Sequence, residues 1–310
     1  MHIQARRTGD DGRTPPAQGA PPAAPRSVAQ PAANTASRLP AGFLRRGFGW
    51  IRYLGLVLLW GLGCSGWSLA APLVARLLPR RRRAGFGRAG IHHGFRIMLR
   101  LMQASGLCRF ELDALDGLRG AGPLVVAANH PSLIDAVLLA ARLPRAVCIC
   151  KATLWNNIFL GGGIRLAGYL RNDAPLPLVR AGIATLREGD QLVVFPEGTR
   201  TLPGQRRLRF HPGFAAMAQA AGVPVQTVII ESTPFLNRDW PLFRLPPLPI
   251  VCSVRLGRRL AVSGPTRPFV EQLERYFEAE LAGKPAPEFT PNTTPDSKLD
   301  GLDRSGQAPA

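Results

Sequence analysis

The pattern of apolar and polar positions divides this chain into four segments. Residues 1–40 are rich in Pro, Ala, Arg and Gln and show no hydrophobic period. We predict that they are disordered, because such a segment buries too little apolar surface to offset the entropy of ordering. Residues 41–80 hold the most apolar stretch, and residues 81–283 carry the periodic pattern of a folded domain. The Pro-rich residues 284–310 are predicted to form a second disordered segment.

The most apolar stretch, from Tyr53 to Ala75, contains no charged residue. Its length of about 23 residues matches the roughly 20 that cross the hydrocarbon core of a bilayer as a helix. Several glycines and Pro72 weaken a helix at this position, so a full span and a hairpin or half-embedded helix both remain open. In either case residues 41–80 are predicted to be an N-terminal membrane-embedded helix or hairpin that anchors the chain.

The next periodic segment, residues 91–104, has the pattern of an amphipathic helix. Ile91, Phe95 and Leu99 fall on one apolar stripe, whereas Arg96 lies elsewhere on the helix. This arrangement is typical of a helix that lies at a membrane surface.

After Leu107 short apolar runs alternate with helical stretches, which is the pattern of an α/β domain. We expect a mostly parallel sheet flanked by helices, because strands that alternate with helices are joined by crossover connections. The predicted strands lie at residues 123–128, 145–150, 191–195 and 223–230, with further β-like runs at 250–256 and 259–263 and a helix at 268–282.

The charge of the chain limits its partners. The formal net charge is +19, with 39 Lys and Arg against 20 Asp and Glu. Such a balance favours anionic lipid surfaces, acidic carrier proteins or nucleic acid. The chain has no zinc-finger spacing, helix-turn-helix pattern or aromatic RNA platform, so we do not expect a nucleic-acid partner.

Cysteine spacing and the arginine flanks bear on the compartment. The five cysteines are scattered and include no CxxC pair, so neither a disulfide framework nor a zinc site is indicated and a reducing compartment fits best. Arginine flanks both ends of the apolar stretch, and the denser cluster, Arg80–Arg83, lies on the side of the folded domain. We therefore expect a membrane location, in a bacterial inner membrane with the catalytic domain on the cytoplasmic side.

The first candidate site, residues 129–135 (NHPSLID), follows the strand predicted at 123–128. Open α/β sheets usually build their sites where a strand ends. His130 can take a proton from an alcohol, and Asp135 is close enough in sequence to fix the tautomer of the imidazole. An ordinary turn in which Ser132 caps the following helix is the structural alternative.

The second candidate site, residues 195–200 (FPEGTR), follows the strand predicted at 191–195. Gly198 permits a close approach of the backbone to a ligand, and Arg200 offers a planar fork for phosphate or carboxylate. A surface loop with an ion pair is the alternative for this segment.

Together the two segments resemble the hallmark pair, NHxSxxD followed by FPEGTR, of the glycerolipid acyltransferase superfamily typified by lysophosphatidic acid acyltransferase. The resemblance covers roughly residues 85–265 and includes Gly222-Val223-Pro224-Val225, which is similar to another block of the family. It implies an O-acyltransferase of phospholipid biosynthesis that moves a fatty acyl group from acyl-CoA or acyl-ACP to a lipid hydroxyl.

The resemblance also implies roles for individual residues. His130 would be the general base and Asp135 its orienting partner. No cofactor and no metal are expected, and the partners would be a membrane lipid and the acyl-CoA or acyl carrier protein. The residues implied in substrate binding are Asn129, Ser132, Arg171, Glu197, Gly198, Thr199 and Arg200.

The segment from Gly168 to Ala174 departs from the family pattern, which has an arginine several positions after the glycine. Here Asp173 stands near that position, and the arginine comes earlier, at Arg171. A lysophospholipid such as 1-acyl-glycerol-3-phosphate is the first candidate acceptor. A non-glycerophosphate or carrier-bound acceptor, or a catalytically silent lipid-binding relative, are the alternatives.

Overall fold

A computed structural model describes residues 41–201, 208–234, 236, 237, 241, 244–285, 287 and 289, with side chains from Gly47 onward. The disorder predicted for residues 1–40 and for most of residues 284–310 lies outside the described residues. The helices are α1 (Ala41–Leu77), α2 (Arg80–Ala104), a 3₁₀ turn (Asp113–Leu118), α3 (Asp135–Arg142), α4 (Ala152–Trp155), α5 (Gly161–Leu166), α6 (Pro175–Arg187), α7 (Gly213–Ala221) and α8 (Thr266–Leu281). The strands are β1 (Cys108–Glu111), β2 (Leu124–Ala128), β3 (Ala146–Cys150), β4 (Leu170–Arg171), β5 (Gln191–Val194), β6 (Val225–Ser232) and β7 (Ile250–Leu260).

The described strands form one sheet in the order β1-β7-β6-β2-β5-β3-β4. Every neighbouring pair is parallel except β6 and β7, which run antiparallel. All five residues of β2 and all four of β5 are buried, as expected for central parallel strands that helices cover on both faces. The predicted α/β class with a mostly parallel sheet is therefore confirmed.

Two details of the sheet differ from the sequence-based prediction. The β-like runs at 250–256 and 259–263 are one strand, β7, which continues to Leu260 because a register shift opposite Gln226 and Val228 lets pairing with β6 resume. The pattern also missed β1 and β4. A strand of two to four residues at the edge of a sheet is too short to show alternation.

Helix α2 corrects the interpretation of residues 91–104. A helix is present, but it begins at Arg80, and Ile91, Met98 and Leu99 of its apolar stripe are buried in the protein core. His92 points inward as well, and its Nδ1 lies 2.9 Å from the carbonyl oxygen of Ala140 in α3. An apolar stripe shows that a helix face is covered, but it does not distinguish protein from lipid as the cover.

Helix α1 is continuous through Pro72, so no turn divides the apolar stretch. Residues Gly47–Leu77 are long and apolar enough to cross a membrane, and an 18-residue stretch within them has a mean hydropathy of 1.6. One side of the helix is exposed, whereas Tyr53, Ser68 and Ala71 are buried against the rest of the chain. Its large exposed apolar side chains with described positions are Phe48, Ile51, Leu54, Leu58, Leu59, Leu62, Leu69, Leu73 and Leu77.

The inner side of α1 is held by close contacts. Trp60 stacks on Phe95 of α2, with ring centroids 5.4 Å apart and an interplanar angle of 15°. Trp67 lies against Gly90 so closely that a Cβ added there would be 2.3 Å from the indole ring. These contacts make α1 part of the folded unit, because interiors at crystal-like density cannot absorb an extra methyl group without moving.

Gly90→Ala and Gly94→Ala make a matched test of this packing, because both glycines lie in α2 and only Gly90 faces Trp67. Gly94→Ala should raise the free energy of unfolding by up to about 1 kcal/mol, since nothing lies within 4 Å of its added Cβ and alanine favours the helix. Gly90→Ala should lower it by about 1–3 kcal/mol through overpacking. Unfolding of the detergent-solubilised protein measures both, and equal effects would contradict the docked position of α1.

Candidate active site

The candidate site is built where two adjacent parallel strands end. β2 and β5 are hydrogen-bonded neighbours that run in the same direction, so the loops that follow them leave the same edge of the sheet. These loops are residues 129–134 and 195–201. The two segments that the sequence singled out are therefore side by side, at the edge where open α/β sheets place their ligands.

His130 and Asp135 form a direct pair. The Nδ1 atom of His130 lies 2.8 Å from Oδ2 of Asp135, and the backbone N–H of Ser132 donates to the same oxygen at 2.7 Å. The Asp135 side chain is fully buried at the first turn of α3, whereas the His130 side chain is 18% exposed. The pair thus has a buried acid and a base that reaches the surface of the site.

Burial changes the acidity of Asp135. Removal from water raises the pKa of this carboxyl, and the hydrogen bonds from His130 and Ser132 oppose the shift. A buried carboxylate is costly unless it is paired and hydrogen-bonded. The negative form of Asp135 therefore depends on His130, and it would in turn stabilise an imidazolium on His130.

The ring and the backbone of His130 are both held. Phe195 stacks on the imidazole, with centroids 4.1 Å apart and planes inclined by 20°. The His130 N–H donates to Oγ1 of Thr201 at 3.2 Å, and the Thr201 N–H donates to the His130 carbonyl at 2.7 Å. Because Nδ1 is engaged by Asp135, Nε2 is the ring nitrogen left for a substrate.

Glu197, in the loop of residues 195–201, stabilises this arrangement by hydrogen bonds. Its Oε1 accepts a hydrogen bond from Oγ1 of Thr201 at 2.8 Å and a longer one from the His130 N–H at 3.4 Å. Burial raises the pKa of the Glu197 carboxyl, and the bond from Thr201 opposes that shift. The structure therefore places Glu197, a predicted substrate-binding residue, against the backbone of His130.

Arg200 and Gly198 shape the outer part of the loop. The Nη1 atom of Arg200 donates to the carbonyls of Leu236 at 2.9 Å and Asn237 at 2.7 Å, which ties the FPEGTR loop to the segment after β6. Gly198 has a φ of 65°, a value that favours glycine. A Cβ at Gly198 would lie 2.9 Å from the ring of His211. Thr199 is half-buried beside them.

Asn129 and Ser132 are turned toward the backbone. The Asn129 amide donates to the Ile230 carbonyl at 2.8 Å and accepts from the Ile230 N–H at 2.7 Å, which fastens the end of β2 to β6. The fully buried Ser132 accepts a hydrogen bond on Oγ from the Ile134 N–H at 3.1 Å. Both side chains set the course of the loop that presents His130.

Arg171 lies at the same edge of the sheet but farther from His130. β5 and β3 separate β4 from β2, which corresponds to roughly 14 Å at the usual strand spacing. Its guanidinium pairs with the Asp173 carboxylate at 2.5 Å, and both side chains are about 40% exposed. The edge thus carries an accessible pair of opposite charges.

Three contacts of the site were not predicted from the sequence. They are the hydrogen bonds of Thr201 to His130, the stacking of Phe195 on the His130 ring, and the pairing of Ile230 with Asn129. Thr201 directly follows the FPEGTR segment, so its position was a signal, whereas Ile230 is far from Asn129 in sequence and only strand order brings them together. Among the residues with described side chains, no group of three or more His, Cys, Asp or Glu is placed to hold a metal ion.

Comparison with known proteins finds similarities to acyltransferases. The sequence profile of the Acyltransferase family matches residues 109–231. A 1-acyl-sn-glycerol-3-phosphate acyltransferase from Helicobacter pylori is 30% identical over 141 residues, which cover 42% of this chain and 60% of that protein. The protein of the same name from Pseudomonas aeruginosa is 24% identical over 235 residues, which cover 74% of this chain and 88% of that protein.

Two further similar proteins are also acyltransferases by name. A lyso-ornithine lipid O-acyltransferase from Pseudomonas aeruginosa is 33% identical over 189 residues, which cover 58% of this chain and 66% of that protein. The crystal structure of the 1-acyl-sn-glycerophosphate (LPA) acyltransferase from Thermotoga maritima superposes with a TM-score of 0.57 at 18% identity, and covers 79% of this chain and 99% of that one. The structural match supports the fold described above.

Asn129→Ala should destabilise the protein by about 1–3 kcal/mol, because it leaves the buried N–H and carbonyl of Ile230 without their partners. Asn156→Ala is the control, since Asn156 is exposed and surface changes are usually within about 0.5 kcal/mol. Chemical denaturation of both variants measures the difference. An Asn129→Ala variant as stable as the control would show that the pairing contributes nothing.

Proposed function

We propose that this chain, which belongs to the acyltransferase superfamily of the 1-acyl-sn-glycerol-3-phosphate acyltransferases, transfers a fatty acyl group from a thioester donor to a lipid hydroxyl. The observation that carries the proposal is the 2.8 Å contact between His130 and Asp135 at the edge where the two hallmark segments meet. The family profile covers this site, because it runs from residue 109 to residue 231.

The geometry supports His130 as general base. With the Nδ1 proton donated to Asp135, the lone pair of Nε2 can accept the proton of the acceptor hydroxyl. The buried carboxylate fixes the tautomer and stabilises the imidazolium that results. Stacking on Phe195 and the backbone bonds to Thr201 limit the motion of the ring.

Attack then proceeds directly on the thioester. The hydroxyl oxygen forms a bond to the carbonyl carbon, the carbon–sulfur bond breaks, and the thiolate recovers the proton from His130. The neighbouring groups do not favour a covalent acyl-enzyme. Ser132 is fully buried with its Oγ engaged by Ile134, and burial raises the pKa of the Cys252 thiol to about 12, which keeps it protonated.

The donor in this proposal is acyl-CoA or acyl-ACP, and no cofactor or metal takes part. Both donors are acidic, and the net charge of +19 favours their approach. Membrane association rests on α1, whose exposed apolar side faces away from the protein. We place the chain in a bacterial inner membrane with the catalytic domain on the cytoplasmic side, where the Arg80–Arg83 cluster would face anionic lipid.

Two acceptors are candidates. The first is 1-acyl-glycerol-3-phosphate, which the names of the relatives from Helicobacter pylori and Pseudomonas aeruginosa suggest. The second is a lyso-ornithine lipid, after the 33% identical relative. The Arg171–Asp173 pair favours the second candidate, because an ornithine head carries a carboxylate and an amine, whereas Asp173 would repel a phosphate.

His130→Ala should lower acyl transfer by about 10²- to 10⁴-fold, the contribution typical of a general base, and Asp135→Asn should lower it by a similar order. His93→Ala is the matched control, because His93 is exposed on α2. The assay uses the full chain in membranes with labelled acyl-CoA or acyl-ACP and each acceptor. Near-normal turnover by His130→Ala, with the fold intact by circular dichroism, would rule out this mechanism.

Asp173→Ala distinguishes the acceptors. With 1-acyl-glycerol-3-phosphate we expect kcat/KM to rise about 3- to 10-fold, because loss of a nearby like charge is worth on the order of 1 kcal/mol at a half-exposed site. Asp116→Ala is the control, since Asp116 is 43% exposed in an ion pair with Arg142. A fall in kcat/KM for lyso-ornithine lipid would select the zwitterionic acceptor, and an unchanged kcat/KM for 1-acyl-glycerol-3-phosphate would show that Asp173 does not repel its phosphate.

A further inference from the structure

The segment between α4 and α5 exposes apolar side chains that neither the fold nor the proposed chemistry uses. Ile158 is 69% exposed, Phe159 is 52% exposed and Leu154 is 38% exposed. We refer to residues 154–160 as the apolar tip. It follows β3, whose carboxyl end lies at the same edge of the sheet as His130. A concentration of exposed aliphatic and aromatic side chains beside a site is typical of an interaction surface.

Several backbone N–H groups of the apolar tip are hydrogen-bonded within this segment or to its ends. Oδ1 of Asn157 accepts from the N–H of Phe159 at 2.8 Å and from the N–H of Leu160 at 3.1 Å. The N–H of Gly161 donates to the Asn157 carbonyl at 2.7 Å. These paired backbone groups need no water, which lowers the cost of moving the turn into an apolar environment.

The apolar tip is joined directly to the membrane helix. Oγ of Ser68 in α1 donates to the Ile158 carbonyl at 3.4 Å and accepts from the Gly162 N–H at 2.7 Å. One residue beyond Ser68, Leu69 is 65% exposed on the outer side of α1. The exposed apolar surface of α1 therefore continues into the tip.

The charges around this surface select one kind of partner. Residues 41–110 and residues 151–172 contain no Asp or Glu, and the first range includes the Arg80–Arg83 cluster. Lys151 and Arg165 flank the tip and are exposed. Apolar side chains bordered by unopposed positive charge match the interface of a bilayer that contains anionic phospholipid.

We propose that the apolar tip inserts into the bilayer interface beside α1, as a second membrane contact that belongs to the catalytic domain. Ile158 and Phe159 are the inserted side chains, and Lys151 and Arg165 remain at the level of the head groups. A second contact limits the tilt of the folded unit relative to the surface, which one helix alone does not fix. The insertion brings the sheet edge that carries His130 to the lipid in which an acyl acceptor resides. This inference rests on membrane association and does not require acyl transfer.

Photolabelling tests the insertion without reference to activity. The full chain is reconstituted in vesicles of phosphatidylethanolamine and phosphatidylglycerol that contain a phosphatidylcholine with a diazirine in its acyl chain. Trypsin then releases the tip as residues 152–165, between Lys151 and Arg165, and most of α1 as residues 53–76. We expect label on both peptides. The peptide that begins at Tyr276 should remain unlabelled, although Leu281 in α8 is 39% exposed.

An unlabelled tip overturns the proposal whether or not α1 carries label. An unlabelled α1 beside a labelled tip would instead contradict the anchor assigned to α1 and leave the tip as the membrane contact. Label on all three peptides at equal yield would show unspecific reaction and would also count against insertion.

A paired substitution tests the consequence for orientation. Ile158→Ser with Phe159→Ser should lower transfer to an acceptor embedded in vesicles by about 3- to 10-fold, because the interfacial burial of two large side chains is lost. Transfer to the same acceptor in detergent micelles should be unchanged, since no bilayer is there to orient the domain. Leu281→Ser is the control. Equal losses in vesicles and micelles would indicate a packing defect and contradict the proposed role.

Discussion

The pairing of β2 with β5 is the constraint on which the candidate site depends. These strands are adjacent, parallel and fully buried, so the segments that follow them must leave the sheet at the same edge. Two motifs that are far apart in sequence thereby become one site, in which the backbone of His130 makes one hydrogen bond to the Thr201 hydroxyl and one to the Thr201 N–H. Without this strand order, the same residues would be two unrelated turns.

Burial of Asp135 connects the stability of the site to its chemistry. A carboxylate with no exposed surface is expensive in a protein interior, and here the compensation comes from the His130 ring and the Ser132 N–H. The same contacts orient the proposed base, because they hold the imidazole by Nδ1 and leave Nε2 for a substrate. Asn129, Glu197 and Arg200 support this pair by fastening the loops around it, so the hallmark segments hold more positioning residues than their polar character suggests.

Helix α1 joins this site to the candidate membrane span. Its inner side packs on α2 through Trp60 and Trp67 and bonds to α5 through Ser68, while its outer side remains apolar and exposed. The glycines at positions 90, 162 and 163 permit that approach, since a Cβ at any of them would collide with α1. The candidate membrane span is thus docked on the domain that carries the site.

The sequence alone determined the α/β class, the position of the main strands and helices, and the identity of the two segments that form the site. These features follow from local pattern, because burial on one or both faces imposes a period on the residues of a strand or helix. It also placed His130 and Asp135 in one turn, where a separation of five residues brings them within reach of each other.

The tertiary structure decided what depends on distant residues. In the tertiary structure the apolar stripe of α2 faces protein, and α1 packs on α2 and α5. Asn129 pairs with Ile230 across the sheet, and Arg200 binds the carbonyls of Leu236 and Asn237. A local sequence pattern indicates that a side chain is buried or paired, but packing across the whole fold determines which residue is its partner.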